Sequence, residues 1–582
     1  MFKNLKKKEM YLWSLFWLLN TLYFLPRFIL DINHSSFLPV DSFLNAEGGV
    51  YNHLKPIFIR ENYDIFRVSY DFFLIVCSYF IIRKWMSYMK FSILVFVFFI
   101  ATFLFQVYTS FFLHLYSTEP LLYNDWEAIK LGFMIVFQGV NFMFVLSLFI
   151  ILIVLCLIFY LIKTLFKTIA STTISWLTKG VLIVFFVLFG FNLKYKFVQT
   201  TNHTFQSQIL LLVNNLKGSQ IAAENMKLIT VDKLVKSNNY DGFTKVNSPN
   251  IIFIAIESYG RVLNDHIELK NTFHNNLKKN NKSLINNGWY SVSCYSESPI
   301  HGGISWVGYS TMFYGFNIKN HATYLSLLER KNLKEYKSLF NLLKQSNYTN
   351  YKLSSIPQVG KLKIPWDKYT NFYHVSEWIK HKDLNYDGEL YGFGPSPPDQ
   401  YSLNFAMNKI KNKKPDRPYS LFFITQNSHN PFVVPGSLSA NWRDLNTKTQ
   451  KDIVDVNLLG RPELNNYRKA INYQIDMLTD LILKTGDSND VFILVGDHQP
   501  PFITQEKDGR EVPLHIVSKN ENFLKGFEKY GLSGGLLVND RSNTIKHEGF
   551  YSMFIREVMR SYNSGNSEIT LPVYLPNGVE FK

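Results

Sequence analysis

Cysteine is scarce in this chain. Three occur in 582 residues, and two of them, Cys77 and Cys156, lie inside apolar runs, which leaves Cys294 alone in the polar remainder. A single cysteine cannot build a disulfide framework, so a globular part of roughly 300 residues must rest on its own hydrophobic core. Acidic side chains are also outnumbered, 45 Asp and Glu against 61 Lys and Arg, for a formal net charge of +16. Clustered bases would suggest a nucleic acid partner. Here they are scattered among Asn, Tyr and Ser and stand beside apolar segments, so no nucleic acid is expected. Anionic lipid headgroups or mere drift in base usage account for the excess.

Long apolar runs are plentiful but confined to the first 200 residues. Five segments, at about 10–30, 66–83, 91–114, 138–162 and 174–193, approach the roughly 20 residues needed to cross a bilayer core of about 30 Å. The first follows Lys3, Lys6, Lys7 and Lys8 and lacks a small-residue cleavage site, so it reads as a retained signal anchor. With the amino terminus in the cytoplasm, Arg83, Lys84, Lys90, Lys163 and Lys167 all fall on the cytoplasmic side. The loop with Glu119, Asp125 and Glu127 then faces outward. An odd number of spans places the remainder outside the cytoplasmic membrane. The stretches 120–138 and 203–217 are either interfacial amphipathic segments or plain connectors. The expected organisation is a transmembrane domain over 1–200, a juxtamembrane linker over 201–248 and an extracytoplasmic domain over 249–582.

That last domain has the mixed composition of an α/β protein. Asn250-Ile-Ile-Phe-Ile-Ala-Ile256 is apolar on both faces, as a strand buried in a parallel sheet would be, and it runs into Glu257. A carboxylate at the carboxyl end of such a strand points into the crevice where open α/β sheets bind ligands. A second strand of this kind, Val491–Val495, runs into Gly496-Asp497-His498. Two strands that deliver metal-competent side chains at the same end suggest one shared site. Between them, Gly302 and Gly303 precede Ser305, and Trp306, Tyr309, Met312 and Phe313 recur at helical spacing up to Gly315. Ser305 therefore opens a helix, where free N–H groups favour an anion or a developing alkoxide, or where it serves as an ordinary N-cap. A third strand, Ser420–Thr425, is followed by His429, placed to protonate a leaving oxygen or hold a phosphate. Val512–Val517 reads as one more short strand. His301, His515 and His547 are lesser substrate-binding candidates.

The ordered set of a strand ending in Glu257, a glycine-flanked Ser305, a strand followed by His429 and a strand ending in Asp497-His498 resembles the alkaline phosphatase and sulfatase superfamily. Behind five spans it is similar to the membrane-anchored lipoteichoic acid synthase and phosphoglycerol transferase group, with phosphoethanolamine transferases as near relatives. The resemblance implies a sulfatase-like, alkaline-phosphatase-type α/β domain with a mostly parallel central sheet. It also implies that Glu257, Ser305, Asp497 and His498 bind one divalent metal, with Ser305 in the place of the group's nucleophilic threonine and His429 near the substrate. The stretch that becomes formylglycine in sulfatases has Pro and Arg two and four residues after the nucleophile. Val307 and Tyr309 stand there in this chain, so the modification is not expected.

Two carboxylates, an imidazole and a hydroxyl form a mostly hard donor set, suited to manganese first and to magnesium or zinc after it. The expected reaction is transfer of a phosphoglycerol or related phospho-alcohol group from phosphatidylglycerol or phosphatidylethanolamine to an envelope polymer, glycan or lipid, through a phosphoseryl enzyme. Trp366 and Tyr369 would line a sugar or glycerol pocket with Lys368 near the phosphate, or would simply pack. The alternatives are a phosphoethanolamine transferase, a sulfatase-like phosphodiesterase, or an inactive membrane-anchored scaffold.

Overall fold

The computed structural model describes residues 2–30, 38, 44, 49–60 and 63–579, apart from 139–141, 195–202, 229–239, 244–247, 331–332, 334–335, 358–364, 393–394, 448–463, 505–507, 539–542, 564–569 and positions 117, 174, 241 and 502. The chain divides into two compact units, one made of 1–114 and 118–224 and the other of 115–117 and 225–582.

The first unit is helical: α1 Phe2–Leu30, α2 Val50–Phe58, α3 Tyr70–Ile82, α4 Tyr88–Tyr116, α5 Leu122–Gln138, α6 Phe142–Ser171, α7 Trp176–Lys194 and α8 Gln208–Leu228. Aromatic packing joins these helices, with Phe16 of α1 stacked on Phe72 of α3 at 5.5 Å between ring centroids. Ser69 caps α3 by accepting from the Phe72 N–H at 3.3 Å. Helices lie over all five apolar segments. Among the described residues two of them, Tyr88–Tyr116 and Phe144–Ser171, are long and apolar enough to cross a membrane. Helix α3, with 13 residues, rises about 20 Å, short of the bilayer core. The stretch 120–138 is largely helix α5, and much of the segment expected to be a linker is the 21-residue helix α8. Within that segment 201–202, 229–239, 241 and 244–247 lie outside the described residues.

The second unit is an α/β domain around a nine-stranded sheet. Its strands are β1 Asn250–Ile256, β2 Tyr290–Glu297, β3 Thr349–Ser354, β4 Glu377–Lys380, β5 Tyr419–Ile424, β6 Asp490–Gly496, β7 Glu511–Ser518, β8 Ser533–Gly534 and β9 Ile545–Lys546. In space they run β8-β2-β7-β6-β1-β5-β3-β4, with β9 paired to β2. From β6 through β4 every pairing is parallel. On the other side β7 is antiparallel to both β6 and β2, and β8 is antiparallel to β2. The sheet is therefore mixed, parallel from β6 to β4 and largely antiparallel beyond β6. The reason lies in the connection after β6. Residues 497–510 hold no α-helix among those described, and a parallel return needs a crossover of about a dozen residues or more, usually helical.

β1 occupies the centre because both of its faces are apolar. Ile251, Phe253 and Ala255 join a core cluster with Phe313, Phe422 and Phe550. Ile252, Ile254 and Ile256 join another with Leu277, Leu481 and Phe492 on the opposite face. Strand alternation sends successive side chains to opposite faces, so β1 is covered on both sides by helices. The helices are α9 Ile267–Asn286, α10 Ser305–Tyr314, α11 Asp399–Asn412, α12 Leu464–Thr485 and α13 His547–Ser561.

Candidate active site and metal centre

Glu257 follows β1 and Asp497-His498 follow β6, and these strands are in-register neighbours, Ile256 opposite Gly496. Adjacent parallel strands of equal reach bring their next residues together at one end of the sheet. Gly496 is required there, because a Cβ on it would lie 2.0 Å from the Tyr259 carbonyl oxygen. Ser258 takes a left-handed backbone, φ 60°, and its N–H donates to Asp497 Oδ1 at 2.8 Å. The His498 N–H donates to the same oxygen at 2.8 Å. Asp497 Oδ2, buried, has no hydrogen-bond donor.

Ser305 is the first residue of α10. Gly303 and Ile304 before it both have positive φ, 61° and 43°. A β-branched residue in that region is strained, and strain of about 1–3 kcal/mol persists where the surroundings impose it. The strained step places Ile304 at the N-cap, so Ser305 Oγ is not used as the cap. Instead it donates to Glu257 Oε2 at 3.2 Å and lies 3.3 Å from His498 Nε2. His498 Nε2 is in turn 3.4 Å from both Glu257 Oε1 and Asp497 Oδ2. One ligand atom from each of Glu257, Asp497 and His498 falls within 4.8 Å of the others.

This arrangement fits a divalent cation. Ligand atoms around a tetrahedral ion with bonds of about 2.0–2.1 Å stand about 3.3–3.4 Å apart, matching the observed 3.2–3.4 Å. His498 Nδ1 meets the Gln499 carbonyl oxygen at 2.7 Å, so the proton sits on Nδ1 and the Nε2 lone pair faces the cluster. Burial, and then the Asp497 carboxylate beside it, push the Glu257 carboxyl well above the usual range. Two carboxylates in so dry a place call for a positive charge between them.

The remaining candidates scatter. His429 follows β5, with Nδ1 at 2.8 Å from the Asn430 carbonyl oxygen. Its pKa is lowered chiefly by burial, and it is close enough to His498 and Asp497 for both to influence it. His301 contributes through its backbone, its carbonyl accepting from the Gln499 N–H at 2.9 Å and pinning the turn after Asp497. The substrate-binding expectation for His515 is corrected. Its Nε2 pairs with the Tyr259 hydroxyl at 3.0 Å and its Nδ1 with Ser293 Oγ at 2.7 Å, so a core histidine has no ring nitrogen left for a ligand. His547 is fully buried with Nδ1 paired to Ser296 Oγ at 2.7 Å. Trp366 packs edge-on against Trp378 at 4.9 Å under Lys380, and Lys368 pairs with Glu329 on the surface. No hydrogen bond, ion pair or ring contact joins His547, Trp366 or Lys368 to the four-residue cluster among the described residues. Positions 361–364, just before Trp366, lie outside those residues.

Sequence reading missed Lys352. It sits on β3, opposite Phe422 of β5, 7% exposed, with its ammonium 3.6 Å from the Phe422 ring centroid and no anionic partner among the described residues. Phe422 also touches Tyr309 of α10, at 5.0 Å between rings, and Tyr309 senses the charge of Asp497. Burial drives the Lys352 amine down to about 7. One signal was available: a lysine alternating with Tyr351 and Leu353 in a short apolar run.

Residues 249–528 match the sulfatase family model. The matched residues form a sulfatase-like α/β domain. No curated protein gives a significant match to the whole sequence. Among solved structures, the lipoteichoic acid synthase LtaP from Listeria monocytogenes is 15% identical, covering 59% of this chain and 80% of its own, with a TM-score of 0.35. The integral membrane lipooligosaccharide phosphoethanolamine transferase A from Neisseria meningitidis is 13% identical over 94% of this chain and 95% of its own, with a TM-score of 0.43. The phosphoglycerol transferase GacH from Streptococcus pyogenes, in complex with sn-glycerol-1-phosphate, is 14% identical over 60% and 87%, with a TM-score of 0.33. The strand-end residues, the turn before α10 and the loop after β5 all fall inside the matched span.

Proposed function

We propose that this protein is a metal-dependent transferase that moves a phosphoglycerol or related phospho-alcohol group from a membrane phospholipid to a hydroxyl of an envelope polymer, glycan or lipid. The observation that carries this reading is Ser305 Oγ, free of capping duty, standing 3.2 Å from Glu257 Oε2 and 3.3 Å from His498 Nε2 beside a buried carboxylate oxygen with no donor. Glu257, Ser305, Asp497 and His498 would hold one divalent cation. Manganese is the first expectation from the oxygen-rich set, and the ligand spacing admits zinc equally. When bound, the cation lowers the serine pKa and draws charge from a phosphoryl oxygen.

The chain's own groups do the rest. Ser305 Oγ forms a bond to phosphorus as the bond from phosphorus to the diacylglycerol oxygen breaks, and the proton that Ser305 loses reaches that leaving oxygen by way of the neutral His429 imidazole. In the second displacement an acceptor hydroxyl bonds to phosphorus as the bond from phosphorus to Ser305 Oγ breaks, and the acceptor's proton returns through the His429 imidazole to Ser305. In this reading the domains are 1–200, anchored by five spans, 201–248 as a juxtamembrane segment, and 249–582 on the extracytoplasmic side. A lipid donor held in the bilayer then stays within reach of an anchored enzyme.

The test is a transfer assay with full-length protein in vesicles carrying headgroup-labelled phosphatidylglycerol or phosphatidylethanolamine, against Ser305→Ala. Labelled glycerol phosphate on an acceptor, with diacylglycerol released, supports the reading. Label taken from phosphatidylethanolamine alone would make the protein a phosphoethanolamine transferase, and label released only to water would make it a phosphodiesterase. Equal turnover by Ser305→Ala, or none by either protein, would remove the covalent mechanism.

A further inference from the structure

The loop that carries His429 is held from a residue with no part in the cluster. Asp399, fully buried at the start of α11, accepts from the Gln426 N–H at 3.0 and 2.9 Å, from the Asn427 N–H at 2.8 Å and from Gln474 Nε2 at 2.6 Å. Asn427 reciprocates, its Oδ1 accepting from the Asp399 N–H at 2.7 Å. Burial pushes this carboxyl up to about 6, so four N–H contacts are what an ionised Asp399 needs to be tolerated there. Gly392 adds a close approach on the same loop, since a Cβ there would sit 2.6 Å from the Gln426 carbonyl oxygen.

The other end of the loop is tied to the metal ligand. Ser428 Oγ donates to the Glu257 carbonyl oxygen at 2.7 Å, and Thr425 Oγ1 accepts from the Glu257 N–H at 3.0 Å. The His429 N–H then closes on the Gln426 carbonyl oxygen at 3.1 Å. Residues 425–429 are therefore stapled between a buried carboxylate and the backbone of Glu257, and His429 is the first side chain past the staple.

We infer that Asp399 is a positioning residue for the transfer reaction, holding the 425–429 loop so that the His429 imidazole stays beside the cluster. This inference rests on the transferase reading for the role of His429. Asp399→Asn keeps the shape but turns an amide toward the Gln426 and Asn427 N–H groups. Partners of this kind, one shell removed from the chemistry, are worth about 10–100-fold when removed.

The experiment uses full-length, metal-loaded protein in detergent. Amide exchange over 425–429 is followed by mass spectrometry, and kcat and KM are measured in wild-type and His429→Ala backgrounds. The expected result is faster exchange in Asp399→Asn, a kcat lowered about 10–100-fold with KM within about 3-fold, and a fall of less than about 3-fold when His429 is already alanine. Should Asp399→Asn fail to fold, Asn427→Ala keeps the carboxylate and is expected to show a smaller loss of the same kind. Unchanged exchange, or an equal fall in both backgrounds, overturns the inference. Loop release in a protein whose wild type transfers nothing would sink the transferase reading while leaving the staple in place.

Discussion

Lys352 offers a sharp stability test. An amine moved from 10.5 to about 7 is about half protonated in the fold at pH 7 and wholly protonated in the unfolded chain. At about 1.36 kcal/mol for each tenfold change in proton affinity, that difference costs the fold about 4 kcal/mol at pH 7. The Phe422 ring, 3.6 Å away, returns up to about 2 kcal/mol through a desolvated cation–π contact. Lys352→Met should therefore stabilise the second unit by about 2 kcal/mol at pH 7, a rise of about 3 °C in its thermal midpoint for a domain of this size. The sign with pH follows from proton counting. Between about 7 and 10.5 the unfolded state binds the extra proton, so the wild type gains stability as pH rises and the advantage of Met shrinks toward pH 9.5. Thermal unfolding of the full chain in detergent at both pH values, followed by tryptophan fluorescence, measures this. A Met variant less stable than wild type at pH 7 would refute the reasoning, because it would mean the ammonium has an ionic partner.

Ser305→Ala should reduce turnover by at least about 10³-fold while retaining most of the bound metal, measured by labelled-lipid transfer and by elemental analysis. Gly308→Ala puts a Cβ 2.9 Å from the Asp497 carbonyl oxygen, so metal affinity and turnover should fall together in a chelator titration. His515→Ala leaves the Tyr259 and Ser293 hydroxyls without their ring partner in a dry core and should cost about 2–4 kcal/mol of stability. Its KM should be unchanged, and a raised KM would restore a substrate role. Removing the metal with a chelator should abolish transfer, and readdition of manganese or zinc should show which restores it faster.

Much of the site was legible because its carriers are short local signals. Glu257 and Asp497-His498 each end a strand apolar on both faces, a pattern that already says central and parallel. The direction of β2 and β7 was not legible, although β2 alternates serine with Val292 and Cys294 and β7 carries Pro513. Their direction depends on which connections carry helices. Sequence set His429 past the end of one strand and His515 inside another, but it could not say whose ring nitrogens would be occupied. What separates them is that Tyr259 and Ser293 come from other elements to occupy both nitrogens of one, while the other is left beside the cluster. Asp399 escaped notice for a similar reason, its donors at 426, 427 and 474 being brought to it by the fold.

Local residue pattern alone decided where the apolar segments lie, which strands are buried on both faces, and which side chains stand at their carboxyl ends. These follow from hydrophobic periodicity and backbone alternation, which act over a few residues. The tertiary structure alone decided that Ser305 Oγ turns to Glu257 and His498 rather than to its own helix. It alone set the Lys352 ammonium over Phe422 and hung the His429 loop from Asp399. Those outcomes depend on distances between elements far apart in the chain, and burial decides them by making every unpaired polar atom costly.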